Sequence, residues 1–173
     1  MMEYTRSSRN LGEGIVRVTL VLAVLLIFGL SLDFALGLPR FASYILAVFG
    51  TVVLGFGIAL EASATWVLWT VGLGTPNPVN PPRVLVTIGP YRFSRNPLYL
   101  ARLTILAGAG AIFGSIGVVL VAACLFAGLN SLLVPREEAR LIARHGRLYE
   151  DYLVRVPRWI PLPSSRGRDV RTR

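Results

Sequence analysis

Between Leu98 and Val134 the chain reads LYLARLTILAGAGAIFGSIGVVLVAACLFAGLNSLLV, nearly all of it apolar. As one helix, these 37 residues (98 to 134) would extend roughly 55 Å at about 1.5 Å per residue, close to twice the ~30 Å hydrocarbon core of a bilayer. The stretch has to fold back on itself. Gly114-Ser115, with Gly117 just beyond, is its weak point, which predicts a helical hairpin of two spans, Leu98 to Phe113 and Ile116 to Val134. Gly110 and Gly114 form a GxxxG pattern, and together with Gly108 they predict close helix approach.

Two further apolar runs precede the hairpin. Ile15 to Leu38 follows Arg6 and Arg9, carries Arg17 at its start and is too long for the core of a cleavable signal sequence, so it reads as a signal anchor. Asp33 lies near its far end, where an acid reaches the interface at modest cost. Phe41 to Leu60 supplies a second span, with Leu38-Pro39-Arg40 as the tight outer turn between the two. Glu61 is expected to close this span, and Trp66 and Trp69 to follow as interfacial anchors.

Composition agrees with lipid as the solvent: 173 residues are one domain's worth of chain, and 54% apolar content with a mean hydropathy of +0.61 is too greasy for an ordinary soluble fold. All 18 basic residues are Arg, and the formal charge is +9. Ten of them lie between Arg136 and Arg173; with no recognition motif beside them, they read as anchors to anionic headgroups and not as a nucleic-acid surface. The amino terminus carries Arg6, Arg9 and Arg17, the middle connection Arg83, Arg92 and Arg95, and the opposite connections only Arg40. The positive-inside rule then puts both termini in the cytoplasm. The expectation is an all-α, multi-pass integral membrane protein, four transmembrane helices with a cytoplasmic C-terminal amphipathic helix, in a prokaryotic cell membrane. Residues 1–162 form one membrane domain, and Pro163 to Arg173 a disordered basic tail. Oligomeric state is not legible. With Cys124 and His145 alone of their kinds, disulfide frameworks, Cys/His zinc sites and Ser-His-Asp or Cys-His machinery cannot be assembled within one chain.

The polar connections carry the chemistry. Thr75 to Pro82 is proline-rich and reads as a stiff, extended crossing. In Gly-Pro-Tyr-Arg-Phe-Ser-Arg-Asn-Pro, residues 89 to 97, Gly89-Pro90 is a turn signal, and Asn96-Pro97 supplies a capping side chain and a first-turn proline for the third span. Such a helix start can hold an anionic group beside Arg92 and Arg95, or Asn96 merely caps while the arginines meet headgroups. After the fourth span, Pro135 to Tyr152 is a charged helix signal that Gly146 interrupts or bends. Its Leu141, Leu148, Tyr149 and Tyr152 can face the membrane surface or the middle connection. Glu137 and Glu138 either form salt bridges to Arg140 and Arg144, or Glu137 accepts hydrogen bonds from a ligand while Arg136 holds an anionic acceptor. Arg102, one turn inside the third span, either snorkels or lines a ligand's carboxylate end. Trp159, in Val156 to Pro161, reads as an interfacial aromatic.

Gly-Pro-Tyr-Arg-x-x-Arg-Asn-Pro-x-Tyr from Gly89, then beyond a helical hairpin Glu-Glu-x-x-Leu-x-x-x-x-Gly-x-x-Tyr-x-x-Tyr and Val-Pro-Arg-x-x-Pro, resembles the isoprenylcysteine carboxyl methyltransferase family and its phospholipid methyltransferase relatives over Thr75 to Pro161. The resemblance implies S-adenosylmethionine in a cytoplasm-facing pocket and a membrane lipid or lipidated acceptor entering from the bilayer. By motif position, the implied cofactor contacts are Arg83, Val84, Leu85, Val86, Tyr91, Asn96, Pro97, Leu98, Tyr99 and Glu137, with Arg136 for the substrate. Where that family usually has His, this chain has Asn96, which hydrogen-bonds but cannot titrate. The resemblance leaves the acceptor open among a prenylcysteine-type carboxylate, a phospholipid amine and a small thiol. Two other functions fit the same spans: a nicotinamide-dependent membrane reductase of the sterol-reductase type, against which the absence of a Gly-x-Gly-x-x-Gly turn counts, and a non-catalytic membrane scaffold.

Overall fold

The structure, a computed structural model, describes residues 2–41, 43–72 and 84–160. Arg83, the proline-rich Thr75 to Pro82 and the basic tail from Pro163 lie outside these residues. The described residues form helices and no strand: α1 (Met2–Leu36), α2 (Tyr44–Thr70), a 3-10 turn (Gly89–Arg92), α3 (Pro97–Phe113), α4 (Ile116–Gly128), a π-helical segment (Leu129–Leu133), α5 (Val134–His145) and α6 (Arg147–Arg155). Three stretches, Gly12–Leu36, Tyr44–Thr70 and the continuous Ile116–His145, are long and apolar enough to cross a membrane. The apolar α3 has 17 residues, a little under the ~20 of a full perpendicular crossing.

The expected break between α3 and α4 falls at Gly114-Ser115. Gly114 ends α3 in the left-handed conformation (φ 58°, ψ 37°), which a glycine adopts without a Cβ penalty. Ser115 then opens α4, its Oγ accepting from Val118 N at 3.0 Å. The α1–α2 connection docks on this turn, Phe41 N donating to Gly114 O at 3.1 Å.

α3 is the centre of the arrangement, packing antiparallel against α2 along its length, with α4 on another side; α1 packs chiefly on α4. The α2–α3 seam is a small-residue heptad: Gly50, Gly57 and Ala64 stand two turns apart on α2, and Ala101 and Gly108 two turns apart on α3. A Cβ on Gly108 would stand 2.6 Å from Leu54 N and 2.8 Å from Gly50 O, so the two backbones touch where these glycines lie. In lipid, where apolar burial gives helices little reason to associate, such close van der Waals contact is the main adhesive. Gly110, from the expected GxxxG pair, meets only ordinary side-chain contacts at 3.4 Å, so the tight crossing lies on the Gly108 face instead.

One sequence expectation is corrected here. Glu61 does not close the second span; α2 runs about two and a half turns further, to Thr70, since 61 to 70 contains no glycine or proline to stop it. Asp33, near the end of α1 as expected, is 4% exposed and does not face solvent, its Oδ1 accepting from Gly117 N at 2.7 Å. A carboxylate at the first turn of α4 meets unpaired N–H groups and the positive end of the helix dipole, which compensates its burial.

The seam makes a simple test of the packing. Gly108→Val should cost about 1–3 kcal/mol through overpacking and lower the melting temperature of the detergent-purified protein. Gly55→Ala, on the same pair of helices but with nothing within 4 Å of its would-be Cβ, should leave it unchanged or slightly higher.

Candidate functional site

The 3-10 turn, the start of α3, the α5 helix and the segment after α6 converge at one end of the helices. Glu138 is the junction: its Oε1 accepts from Arg95 Nη1 at 2.7 Å, and its Oε2 from Arg158 Nη2 at 2.6 Å. The carboxylate is 12% exposed, so both pairs are largely shielded from water. This corrects the local pairing expected with Arg140 and Arg144, both of which are exposed. Backbone contacts reinforce the junction, with Arg95 N donating to Pro157 O at 3.0 Å and Ser94 Oγ to Arg158 O at 3.2 Å.

Asn96 precedes α3 as expected, but its side chain does not cap the helix; Nδ2 donates instead to Arg158 O at 3.0 Å. Cap geometry is overridden because the non-helical stretch 156–160 lies over the helix start and offers a fixed carbonyl. Trp159 is likewise no free interfacial ring: Nε1 donates to Asn130 Oδ1 at 2.9 Å, and the indole leans on Phe126 with centroids 5.1 Å apart. Asn130 lies in the π segment, a distortion of the helical ladder that is common at functional sites.

Tyr99, on the first turn of α3, donates from its hydroxyl to Glu137 Oε2 at 3.0 Å. Two residues 38 apart in sequence are thereby brought together, with Glu137 exposed and its carboxylate able to accept further hydrogen bonds. Arg136 is exposed, with no ion pair among the described residues. The other motif residues are placed differently. Val86 and Tyr91 are buried with Ala64 and Leu68, and Leu98 packs on that cluster. Leu85 packs with Leu141 and Ile142 around Tyr149, Tyr152 and Val156, so the apolar face of α5 and α6 turns toward the middle connection; Leu148 is left exposed. Pro97 is fully buried and Val84 is 48% exposed.

The sequence reading missed the partner of Arg102. Rather than snorkelling, its Nη2 and Nε donate to Glu61 Oε1 on α2 at 3.1 and 3.3 Å. The guanidinium also stands 5.6 Å from the Tyr99 ring centroid. Glu61, Arg102, Tyr99 and Glu137 thus form a polar ladder from the flank of α2 to the Glu137 carboxylate. An acid and a base each about one to three turns inside apolar helices was the available signal.

At the inner end of the ladder lies a groove of about 730 Å³ between α1 and α2, floored by α3 and lined by residues such as Gly14, Leu22, Ile58, Glu61, Trp69 and Phe113. α1 and α2 are clasped to different partners, so they splay apart and leave the groove open between them. Its volume falls in the range of roughly 300–1,000 Å³ usual for small-molecule sites.

The profile of the family described as phospholipid methyltransferase matches residues 45–147, more than half of the chain. The nickel-cobalt-cadmium resistance protein NccN of Alcaligenes xylosoxydans xylosoxydans is 35% identical over 77 residues, covering 44% of this chain and 36% of that protein. The cobalt-zinc-cadmium resistance protein CzcN of Cupriavidus metallidurans is 36% identical over 89 residues, covering 51% of this chain and 41% of that protein. The chain spans about two-fifths of the length of the curated relatives it matches. Among the described residues, no group of three or more His, Cys, Asp or Glu could hold a metal ion.

Removing Glu138 should be the most damaging change at the junction. Breaking a buried ion pair by deleting one partner costs roughly 3–5 kcal/mol, and somewhat less here because Arg158 is one-third exposed. Glu138→Ala should therefore lower the melting temperature sharply, whereas Arg136→Ala should not move it. Alkali should act through the buried phenols. Burial, then the neighbouring Glu138 charge, partly offset by Arg95, pushes Tyr149 up to about 12 from 10.0. Burial also raises Tyr91 and Tyr152. Above pH 10 the unfolded chain loses these protons first, so stability present at neutral pH falls as pH rises toward 12. Melting curves of Tyr149→Phe should show a shallower fall between pH 10 and 12.

Proposed function

The chain belongs to the phospholipid methyltransferase family, and we propose that it transfers a methyl group from S-adenosylmethionine to a lipid-like or membrane-soluble acceptor. The observation that carries this reading is the Tyr99–Glu137 hydrogen bond, since it joins the two polar motifs at one end of the helices and leaves a carboxylate with acceptor capacity facing out. The arginine distribution supports four spans with both termini cytoplasmic, α3 crossing as the short fourth between α2 and α4. The junction then lies on the inner face, where a water-soluble donor arrives.

The residues present suit that donor. Glu137 offers oxygens to hydroxyl or amino groups, and the exposed Arg92 and Arg136 offer positive charge to a carboxylate. When bound, S-adenosylmethionine supplies an electrophilic methyl group on a sulfonium. Tyr99 and Glu137 orient, each fixing the other; the Glu138 clasp holds the segments that bear them; and the apolar helices exclude water from the adjoining groove. An acceptor with its chain in the α1–α2 groove presents its head near Glu61 and Arg102, next to Tyr99. Alignment and dehydration, with no titrating base at position 96, are then the catalytic means.

Calorimetry on the detergent-purified protein tests the donor site. Glu137→Ala should weaken S-adenosylmethionine binding about tenfold or more and Tyr99→Phe several-fold, with melting temperatures near wild type, as expected for hydrogen bonds to a charged group worth roughly 1.5–3 kcal/mol. Unchanged affinity in Glu137→Ala would remove Glu137 from the site. Incubation with labelled donor and a total lipid extract, followed by mass spectrometry, should yield a labelled apolar product.

A further inference from the structure

Resting on that reading, we infer that Glu61 selects the acceptor by the charge of its head. It admits a single-chain amphiphile whose head is neutral or cationic and donates a hydrogen bond, and it turns away an anionic head.

Among the described residues that line the α1–α2 groove, Glu61 is the one with an ionisable side chain. Both hydrogen bonds that Arg102 donates to Glu61 go to Oε1, and the buried Oε2 has no hydrogen-bond partner among the described residues. A buried carboxylate oxygen without a partner is a costly arrangement, and a donor brought by a ligand relieves it. Arg102 is not part of the groove lining; it lies behind Glu61, toward Tyr99. The pair is neutral as a whole, and Glu61 is its member in the groove lining. In an apolar groove a second negative charge beside it is poorly screened and strongly opposed, while an ammonium, hydroxyl or thiol proton is attracted.

The position fits a head-and-chain ligand. Glu61 lies nine residues before the end of α2, about 13 Å along the axis at about 1.5 Å per residue. From there the apolar wall continues past Ile58 and Leu54 toward Phe113 at the far end of α3. Trp66 and Trp69, also in the lining, flank the head end. A chain occupying the far part would leave its head at Glu61, one ladder step from Arg102 and two from Tyr99.

The test uses binding alone, in nanodiscs of zwitterionic lipid and without methyl donor. Chain-brominated hexadecylammonium, hexadecanol and hexadecanesulfonate are titrated, and quenching of the Trp66 and Trp69 fluorescence is read. The ammonium and the alcohol should bind at least tenfold more tightly than the sulfonate. Glu61→Gln should narrow the ammonium-to-sulfonate ratio at least tenfold while shifting the alcohol less than twofold. Should that variant fail to fold with Arg102 uncompensated, the Glu61→Gln, Arg102→Gln pair removes both charges and serves the same comparison. Ala62→Phe, which fills the groove, should abolish quenching by all three. Equal binding of sulfonate and ammonium to the wild type, an unchanged ratio in the folded variants, or quenching that survives Ala62→Phe would each overturn the inference. Adding labelled S-adenosylmethionine afterwards separates the two proposals: selective binding with no methylated amphiphile leaves Glu61 as a selector and removes the methyl-transfer reading.

Discussion

Glu138 accepts from Arg95 and Arg158 at 2.7 and 2.6 Å, and through those contacts three stretches distant in sequence become one structure. Arg95 precedes α3, Glu138 sits on α5, and Arg158 follows α6. The apolar cluster of Tyr149, Tyr152 and Val156 with Leu85 holds the same segments together beside the clasp. With the carboxylate nearly buried between two cations, the geometry is held firmly, since relaxing either contact leaves charge unpaired at low dielectric. The backbone bonds from Arg95 and Ser94 and the Asn96 side-chain bond follow once that placement is set.

Two adjacent acids therefore do different work. Glu138 faces inward and is saturated by arginines; Glu137, one step around the helix, faces outward and has only the Tyr99 hydroxyl as its side-chain partner among the described residues. Consecutive residues on a helix point about 100° apart, so a double glutamate can place one oxygen pair in a structural joint and present the other to a ligand.

The hairpin and the apolar helices were legible because they follow from bilayer thickness and from Gly114, a residue whose backbone freedom admits the turn. The meeting of the third helix's start with the double-glutamate segment was legible only through the motif resemblance, since nothing local in Tyr99 or Glu137 points at a partner 38 residues away. Other contacts leave no such trace. Near-neighbour pairs are all that a helical wheel displays, so the double glutamate points to Arg140 and Arg144 and not to Arg95 and Arg158. Asn96 reads as a cap because its tertiary competitor, the Arg158 carbonyl, has no sequence signature. The α2–α3 seam at Gly50, Gly57 and Ala64 was visible as a seven-residue spacing of small residues, but the more familiar GxxxG spelling drew attention to the wrong face of α3.

The splay of α1 from α2 has a consequence for how anything reaches the groove. With no backbone segment among the described residues bridging the gap along its length, entry from the side breaks no hydrogen bond and requires no hinge. A molecule dissolved in the leaflet approaches by two-dimensional diffusion, so its occupancy follows mole fraction in the lipid and not molarity in water. A sparingly soluble amphiphile with a modest intrinsic affinity could therefore still keep the cleft filled.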